Sequence, residues 1–262
     1  MSKKTYVVTG AANGIGLELT KLLDQAGHRV VSLDIAEPGE PIGQFIRLDL
    51  SNDQSIETVC NSIDLPLDGL CNCAGLPPRP NLEREILAVN FLGTRQFTHL
   101  LEEKLVAGAS VVNMASRAGQ NWKDGLAQVN RLAGLKTFAE LDAFIVSEKI
   151  DPIRAYDLSK EAIIAWTTAR SETYLNRNWR INSISPGAVA TGILDDFQTA
   201  FGERMAKNVA RAGRAGSPAE IANLAAFLLS PESSWIKGTD ISIDGGMSAF
   251  AMSDALSLQD LI

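Results

Sequence analysis

The chain has 262 residues, 45% hydrophobic content and a formal net charge of −7, so it can bury a substantial core. The acidic balance argues against a nucleic-acid partner, which needs basic patches, and against an anionic membrane surface. We expect a cytoplasmic protein with reduced thiols, because the chain has only three cysteines, no signal peptide and no apolar run near the roughly 18 residues that span a bilayer.

Short β-branched runs alternate along the chain with stretches of helical periodicity. The first strand is predicted at 6–9 and the first helix at 15–26, where leucines recur at helical spacing. Further strands are predicted at 29–34, 45–48, 69–72, 110–113, 180–185 and 240–243, and further helices at 53–62 and 156–176. Because strands that alternate with helices form parallel β-α-β units, we predict an α/β fold, a doubly wound seven-stranded parallel sheet with helices on both faces. No repeat or linker divides the chain, so we expect a single domain over 1–262.

Residues 117–155 interrupt this alternation and form a predicted helical insertion before the long helix. Trp122, Leu126 and Val129 are spaced as on one helix face, and 137–140 has the Thr-x-x-Glu pattern of a capping box. We therefore predict two short helices in this segment. The pattern leaves open whether they decorate the surface or contribute to a functional site.

A glycine-rich turn joins the first strand to the first helix. It reads Thr9-Gly10-Ala11-Ala12-Asn13-Gly14-Ile15-Gly16. Glycines allow a sharp turn and close approach of a pyrophosphate, and the helix N-terminus presents unpaired N–H groups to that anion. Since a strand precedes the turn and a helix follows it, the context is the one that dinucleotide binding requires. We expect the cofactor to contact Gly10, Asn13, Gly14, Ile15 and Gly16.

Asp34 ends the second strand, 24 positions after Gly10 (34 − 10), close to the roughly 20 expected of an acidic ribose anchor. Its carboxylate can accept hydrogen bonds from the adenosine ribose and would repel a 2′-phosphate. Asn13 stands in the turn and Ile35 follows Asp34, so neither position supplies a cation for NADP. We therefore predict NAD as the cofactor. Asp49, after the third strand, is equally compatible with binding the adenine amino group and with capping a turn.

Five further motifs follow in an order that is typical of one enzyme family. They are Asn72-Cys73-Ala74-Gly75, Val89-Asn90-Phe91-Leu92-Gly93, Asn113-Met114-Ala115-Ser116, Tyr156-Asp157-Leu158-Ser159-Lys160, and Pro186-Gly187 with Thr191. With the glycine turn they resemble the classical short-chain dehydrogenase/reductase family over nearly the whole chain. The motifs depart from the family pattern at Cys73, where the family has a second Asn. The resemblance implies a Rossmann-type fold, a nicotinamide cofactor and hydride transfer to or from an alcohol carbon.

The resemblance implies a catalytic set of Asn90, Ser116, Tyr156 and Lys160. Tyr156 and Lys160 are four positions apart and so share one helix face. A phenol titrates near about 10, and a nearby ammonium together with the positive nicotinamide should lower that pKa toward useful acid–base work. Tyr156 would then exchange a proton with the substrate oxygen, which Ser116 would hold. Lys160 would also bond the nicotinamide ribose, and Asn90 would hold a water that connects Lys160 to solvent.

The same resemblance places further loop residues against the cofactor. Beyond the glycine turn and Asp34, the predicted cofactor contacts are Asp49, Leu50, Cys73, Ala74, Gly75, Tyr156, Lys160, Pro186, Gly187, Val189 and Thr191. We expect no metal. His28 and His99 are far apart in sequence, and Cys71 and Cys73 fall on or just after a buried strand with both on one face, where core packing explains them better than zinc.

Tyr156 lies 40 positions after Ser116 (156 − 116), a longer interval than in compact members of the family. The extra segment resembles the branch that contains coniferyl alcohol dehydrogenase and bacterial 3α-hydroxysteroid dehydrogenase. That resemblance implies a bulky apolar alcohol or carbonyl substrate. We expect the pocket to be formed by the insertion and by a substrate loop over 187–217. Its predicted lining residues are Ser116, Trp122, Leu126, Tyr156, Leu194 and Phe197.

Two alternative functions remain open. A 3-oxoacyl-type ketone reductase would usually use NADPH, and Asp34 argues against that cofactor. A catalytically silent NAD(H)-binding regulatory protein would not need the intact catalytic set. The family commonly forms dimers and tetramers through the long helix and through a helix near 218–229 with the last strand, so we expect a homodimer or homotetramer. The insertion could block the first of these surfaces, and the acidic tail over 253–262 could be disordered or could cap a neighbouring subunit.

Overall fold

The computed structural model describes residues 3–261, and within them all side chains except those of residues 195, 204 and 259. The strands are β1 (Thr5–Thr9), β2 (Arg29–Asp34), β3 (Gln44–Arg47), β4 (Leu67–Asn72), β5 (Leu105–Met114), β6 (Arg180–Pro186) and β7 (Asp240–Ile243). They form one sheet in the order β3-β2-β1-β4-β5-β6-β7, and every pairing is parallel. The predicted fold class is therefore confirmed, with strand order reversing between β1 and β4.

Helices cover both faces of the sheet. They are α1 (Gly14–Gln25), α2 (Asp53–Ser62), α3 (Glu83–Leu87), α4 (Thr94–Leu101), α5 (Leu126–Gly134), α6 (Leu141–Glu148), α7 (Pro152–Asn176), α8 (Leu194–Ala212), α9 (Pro218–Leu229) and α10 (Met247–Ala255), with a π-helical turn at Ala88–Gly93. One face carries α1 and α9, and the other carries α2, α4 and α7. Among the described residues, no helix has the length and apolarity to cross a membrane.

The helix α7 begins at Pro152, four residues before the predicted start at 156. Asp151 is its N-cap, and the Asp151 side chain accepts a hydrogen bond of 2.7 Å from the Arg154 backbone N–H. Proline is favoured at the first helical position because its missing N–H would be unpaired there in any case. The dipeptide Asp151-Pro152 was therefore a helix start signal that the motif-based boundary overlooked.

The insertion contains the two predicted short helices, α5 and α6, but the predicted capping box is wrong. Thr137 makes no side-chain cap bond, because a 3₁₀ turn at Phe138–Glu140 separates it from α6. Glu140 instead accepts a hydrogen bond from the Lys136 backbone N–H at 2.8 Å. The buried apolar side chains of the insertion join the same apolar cluster as α7 and are Val129, Leu132, Phe138, Leu141, Phe144, Ile150 and Ala155. The insertion is therefore part of the core rather than a surface decoration.

Candidate active site

The main cavity of the described chain, about 1650 Å³, opens at the carboxyl ends of the strands, where the strand order reverses. Ligands of open parallel sheets bind at this kind of position. All of the residues predicted to contact the cofactor lie on its wall, namely Gly10, Asn13, Gly14, Ile15, Gly16, Asp34, Asp49, Leu50, Cys73, Ala74, Gly75, Tyr156, Lys160, Pro186, Gly187, Val189 and Thr191. The volume exceeds that of a typical single-ligand pocket, so a dinucleotide and a second molecule can fit together.

The glycine turn is packed so closely that side chains are excluded at two positions. Gly10 has φ +69°, and a Cβ there would lie 2.7 Å from the backbone nitrogen of Ala74. A Cβ on Gly16 would lie 2.1 Å from the carbonyl oxygen of Gly10. The bare turn leaves the N-terminus of α1 open to the cavity, where its unpaired N–H groups and positive dipole suit a pyrophosphate. This cradle fits a dinucleotide.

Asp34 connects the end of β2 to the glycine turn. Its Oδ2 accepts a hydrogen bond from the Ala12 backbone N–H at 2.9 Å, and its Oδ1 accepts one from Ala36 at 3.0 Å. Each carboxylate oxygen keeps acceptor capacity for a further donor, such as a ribose hydroxyl. Ile35, 54% exposed, follows it on the cavity wall. This end of the cavity therefore presents a carboxylate that two backbone N–H groups hold in place.

Asp49 lies on the same wall, and the structure shows what holds its side chain. Its Oδ1 accepts hydrogen bonds from the backbone N–H and the hydroxyl of Ser51, at 2.8 and 2.6 Å. These contacts make Asp49 the cap of its own turn, one of the two roles that the sequence allowed. Binding of the adenine amino group stays a prediction.

Tyr156 and Ser116 meet at the centre of the cavity. The Tyr156 side chain is buried and hydrogen-bonds with that of Ser116, whose Oγ also accepts a bond of 3.2 Å from the Ala118 backbone N–H. Burial raises the pKa of Tyr156 well above its ordinary value, although the hydrogen bond with Ser116 opposes this. In the protein by itself burial therefore determines the direction of the shift, and the lowering expected from Lys160 together with the nicotinamide stays a prediction.

Lys160 lies one turn after Tyr156 on the same face of α7, as predicted. Its Nζ is 5.7 Å from the centre of the Tyr156 ring and donates a hydrogen bond of 2.9 Å to the Met114 carbonyl at the end of β5. Burial lowers the pKa of Lys160 to about 8. Burial of the Lys160 ammonium beside the phenol therefore costs free energy. The same group can release its proton at a pH not far above neutral.

Asn90 lies behind the cavity wall, within the π-helical turn. Its Oδ1 accepts from the Leu76 backbone N–H at 2.7 Å, and its Nδ2 donates to the Leu76 carbonyl at 3.0 Å and to the Ser159 hydroxyl at 3.2 Å. A Cβ on Gly75 would lie 3.3 Å from Asn90 Oδ1 and 3.5 Å from Lys160 Nζ, so both groups face Gly75. The observed bonds fix the loop after β4, and the water relay to Lys160 stays a prediction.

Aromatic side chains of α8 cover Tyr156. The ring of Phe197 lies edge-on to that of Tyr156 at 5.2 Å, and the ring of Phe201 does so at 6.5 Å. Phe197 was predicted from the sequence, whereas Phe201 and Met205, which also line the cavity, were missed. Phe201 lies four residues after Phe197 on the same helix face, and that spacing was the available signal for it. Met205 follows a break in α8 at Gly202, so helical periodicity does not connect it to these two residues.

Three predicted substrate residues lie elsewhere. Trp122 packs against the apolar core, Leu126 is 41% exposed at the start of α5, and Leu194 is half-buried at the start of α8, off the cavity wall. The reason is that α5 turns its apolar face, with Val129 and Leu132, towards the core. Periodicity indicates which helix face is buried but not what that face contacts.

The two ends of the insertion contribute polar groups that the sequence reasoning missed. Arg154 donates two hydrogen bonds of 2.7 Å to the buried carboxylate of Glu161, and its Nε donates to Gln128 of α5 at 2.7 Å. Both Arg154 and Glu161 line the cavity, as do Gln120 and Asn121. The Arg154–Glu161 pair ties the insertion to the helix that carries Tyr156. Its two residues are seven apart on α7, a spacing that was visible in the sequence.

The C-terminal segment folds against its own subunit. α10 and the residue after it place Met247, Ser248, Ala251, Met252 and Leu256 on the cavity wall. Arg211 of α8 donates two hydrogen bonds to Asp254, which joins α8 to α10. The predicted tail over 253–262 is thus helical at its start and covers the cavity, while residue 262 lies outside the described residues.

Comparisons with known proteins agree with the motifs. Residues 4–128 match the family described as short chain dehydrogenase, and residues 138–248 match the one described as Enoyl-(Acyl carrier protein) reductase. The short interval between the matches falls inside the insertion. The chain is 32% identical over 251 residues to coniferyl-alcohol dehydrogenase of Pseudomonas sp. (strain HR199 / DSM 7063), a match that covers 95% of this chain and 98% of that protein.

A second relative and a solved structure extend this likeness. The 3-alpha-hydroxysteroid dehydrogenase/carbonyl reductase of Comamonas testosteroni is 30% identical over 249 residues, covering 93% of this chain and 96% of that protein. The structure of the 3-alpha-hydroxysteroid dehydrogenase from Pseudomonas sp. B-0831 complexed with NADH superposes with a TM-score of 0.83 at 30% identity, covering 94% and 98% of the two chains. The chain therefore belongs to the short-chain dehydrogenase/reductase family, whose members are oxidoreductases that use a nicotinamide cofactor.

Proposed function

We propose that this protein is an NAD-dependent dehydrogenase that reversibly converts a bulky, apolar alcohol to its carbonyl compound. The observation that carries the proposal is a single cavity with two different ends. One end presents the Asp34 carboxylate beside the glycine cradle, and the other presents the Tyr156–Ser116 pair beneath the rings of Phe197 and Phe201. The first end selects the cofactor and the second selects and activates the substrate.

The preference for NAD rests on Asp34. Its charge would repel a 2′-phosphate, while its free acceptor capacity suits ribose hydroxyls. Two relatives support this choice by their names, the 3-alpha-hydroxysteroid dehydrogenase complexed with NADH and a NAD-dependent glycerol dehydrogenase of Listeria innocua, 30% identical over 267 residues. We expect an Asp34→Ser variant to lower the ratio of NAD to NADP efficiency by about tenfold or more, which corresponds to about 1.4 kcal/mol. An unchanged ratio would show that another group selects the cofactor.

The reacting groups of the chain supply proton transfer and charge stabilisation. When bound, the oxidised nicotinamide would accept the hydride in alcohol oxidation, and the reduced nicotinamide would donate it in carbonyl reduction. Ser116 donates a hydrogen bond to the substrate oxygen and stabilises the negative charge that develops there. Tyr156 gives its proton to that oxygen in carbonyl reduction and takes it in alcohol oxidation. Because burial raises the pKa of Tyr156, the phenol is held in the protonated form, which is the form that donates.

Lys160 completes this proton path. Its Nζ faces Gly75 on the cavity wall and carries a proton that it releases with a pKa of about 8. A positive charge in this position favours the phenolate during alcohol oxidation, when Tyr156 must lose its proton first. The pair can therefore serve both directions of the reaction.

The apolar side chains around Tyr156 set the substrate class. Phe197 and Phe201 stack on one another with ring centres 6.3 Å apart, and Ile193, Met205 and Leu76 extend the apolar wall. Flat or alicyclic carbon skeletons fit such a wall because they bury apolar area against ring faces and edges. The substrates named for the similar proteins, coniferyl alcohol and 3-alpha-hydroxysteroids, are candidates of this kind.

A panel of alcohols and ketones tests the proposal, with NAD and NADP compared in each case by absorbance of the reduced cofactor. Aryl-allylic alcohols, 3α-hydroxysteroids, 3-oxoacyl thioesters and glycerol should be included. We expect turnover with NAD on the first two classes. Turnover confined to acyl thioesters with NADPH would favour the 3-oxoacyl reductase, and cofactor binding without any turnover would favour a regulatory role.

Pairing of subunits is also proposed, as a homodimer or homotetramer. Phe227 of α9 is exposed and Trp235, shortly before β7, is 92% exposed. These side chains lie in the region through which the family resemblance predicts pairing. Sedimentation velocity on the wild type and on a Trp235→Ser variant measures the assembly directly.

A further inference from the structure

Two cysteines lie side by side where the cofactor loop leaves the sheet. Cys71, in β4, is fully buried, and Cys73, just after β4, is half-buried and lies on the wall of the main cavity. Their sulfur atoms are 3.4 Å apart. Both pack against the apolar cluster under α1 and α9, so they share one face of the sheet. One thiol of the pair therefore borders the cofactor cavity, and the other lies directly behind it.

The spacing of this pair is compatible with a disulfide. Residues two apart on an extended strand have Cα atoms about 6.6 Å apart, since each residue advances about 3.3 Å. Disulfides span Cα separations of about 4.4–6.8 Å, so an extended backbone from Cys71 to Cys73 would be compatible with a disulfide near the upper limit of that range. The two sulfur atoms are already in contact. Formation of the S–S bond requires the chain to shift, and we expect the shift at Cys73, which lies outside the strand, rather than at Cys71, which lies within it.

We propose that Cys71 and Cys73 form a reversible redox site that controls access of the dinucleotide to its cavity. A peroxide oxidises the thiolate of Cys73 to a sulfenic acid, with the second peroxide oxygen leaving as hydroxide. The sulfur of Cys71 then attacks the sulfenic sulfur, the S–S bond forms, and the sulfenic hydroxyl leaves as water after taking up a proton. In sum, one peroxide is reduced to two waters, and two thiols are oxidised to one disulfide. An external dithiol reverses the reaction by exchange.

The order of the two steps follows from the surroundings of the thiols. Cys73 reaches the cavity, whereas Cys71 is sealed among apolar side chains. The hydrogen bond with Cys73 and burial both raise the pKa of Cys71 while Cys73 is reduced, which disfavours the thiolate of Cys71. Oxidation therefore starts at Cys73, and Cys71 acts as its resolving partner.

The disulfide would act on the cofactor through the chain that follows Cys73. Ala74 donates its backbone N–H to the Thr9 hydroxyl at 3.1 Å and packs against the bare backbone of Gly10. Gly75 packs against Asn90 and Lys160. A shift of Cys73 towards Cys71 moves Ala74 and Gly75 with it and so changes the cavity wall, because both residues line the cavity. Displacement of about 1 Å at such positions can cost about 100-fold in turnover.

Cys60 provides an internal control. It is buried in α2, on the opposite face of the sheet, where its sulfur contacts the Phe97 carbonyl at 3.9 Å. Burial raises the pKa of the Cys60 thiol to about 12. A Cys60→Ala variant should therefore oxidise like the wild type. Trypsin does not cleave between Arg79 and Pro80, so the tryptic fragment 48–84 carries all three cysteines. In the Cys60→Ala variant, a disulfide within this fragment can join only Cys71 and Cys73.

The experiment treats the full chain with hydrogen peroxide, with and without saturating NAD, and then alkylates the remaining thiols. Mass spectrometry of fragment 48–84 in the Cys60→Ala background measures disulfide formation, and fluorescence titration with NADH measures cofactor affinity. We expect fragment 48–84 to lose the mass of two hydrogen atoms, NADH affinity to fall about tenfold or more, and dithiothreitol to restore both. Saturating NAD should slow the oxidation, because Cys73 lies on the cavity wall.

A Cys71→Ala variant separates the pair from a single reactive thiol. Without its resolving partner, Cys73 should oxidise further to sulfinic acid, and dithiothreitol should then fail to restore NADH affinity. If dithiothreitol restored the NADH affinity of this variant as fully as that of the wild type, the proposal would be overturned. It would also be overturned if fragment 48–84 did not lose two hydrogen atoms, or if the disulfide formed and left NADH affinity unchanged. The mass measurement needs no substrate, so its failure is distinguishable from failure of the proposed alcohol dehydrogenase function.

Discussion

The cofactor side and the substrate side of the cavity are built in different ways. On the cofactor side the backbone itself forms the site, and a Cβ at Gly10 or Gly16 would collide with neighbouring main-chain atoms. On the substrate side, side chains from separate elements form the site, with Phe197 and Phe201 from α8 and Arg154 from the start of α7. A backbone site leaves a short local motif in the sequence. A site made of side chains depends on how the helices pack, and its residues are dispersed along the chain.

The largest expected effect concerns the residue at which the two sides meet. A Tyr156→Phe variant keeps the ring that packs against Phe197 but removes the hydroxyl that bonds to Ser116. We expect kcat/KM to fall by about 10²–10⁴, the range of general acid–base catalysis, while NADH binding persists. Steady-state kinetics and fluorescence titration measure the two quantities. Unchanged turnover would contradict the assigned role of Tyr156, and loss of NADH binding would show that the hydroxyl belongs to the cofactor side.

A second prediction concerns the attachment of the insertion to the catalytic helix. An Arg154→Met variant leaves the buried carboxylate of Glu161 without its two hydrogen bonds of 2.7 Å. Breaking a buried ion pair from one side costs about 3–5 kcal/mol, so the free energy of unfolding should fall by an amount near the lower end of this range. Urea denaturation of the variant measures it.

Two further variants control this experiment. The double variant Arg154→Met with Glu161→Met should recover part of the loss, because it removes the unpaired charge as well. Arg131→Met breaks a less buried pair with Glu148 inside the same insertion, in which the Arg131 side chain is 54% and the Glu148 side chain 16% exposed. It should cost less, since water screens the more exposed ions. Equal losses for Arg154→Met and Arg131→Met would show that burial of the Glu161 pair adds nothing to stability.

A third prediction uses the buried ammonium of Lys160, whose pKa is lowered from 10.5 to about 8. Below about pH 8 the folded and unfolded states both hold this proton, and the full cost of burying the charge is present. Between about 8 and 10.5 the folded protein has released a proton that the unfolded chain keeps, so the cost shrinks as pH rises. A Lys160→Met variant has no such cost at any pH.

The difference in unfolding free energy between Lys160→Met and the wild type should therefore change by about 3 kcal/mol in favour of the wild type from pH 7 to pH 10. Denaturant unfolding at several pH values measures it. Lys237→Met, at an exposed position, controls for the general effect of adding a methionine. A difference that stays constant over this window would contradict the lowered pKa of Lys160.

The contrast between the two sides also explains what could be predicted from the sequence. The sheet, its seven strands and the glycine-rich turn between β1 and α1 were predicted correctly, because strand and turn signals are local. Phe201 was missed, although it shares a helix face with Phe197, since nothing local states that this face lies over Tyr156. Met205 was missed because it follows the break in α8 at Gly202. Trp122 was placed in the pocket together with Leu126, with which it was spaced as on one helix face, but Trp122 precedes α5, which begins at Leu126.

The smallest expected effects come from a pair of glycine substitutions, one in the glycine turn and one in the insertion. Gly16→Ala puts a Cβ 2.1 Å from the Gly10 carbonyl oxygen, and overpacking of this kind lowers the free energy of unfolding by about 1–3 kcal/mol. We also expect this variant to bind NADH more weakly. Gly134→Ala, at the end of α5 in the insertion, meets no atom within 4 Å and should stabilise the protein by about 0.5–1 kcal/mol, because alanine restricts the unfolded chain. Thermal unfolding and NADH titration of both variants test the contrast. If Gly16→Ala left both stability and NADH affinity unchanged, the glycine turn would be able to accommodate a side chain. Close packing of the backbone would then not be what shapes the cofactor side.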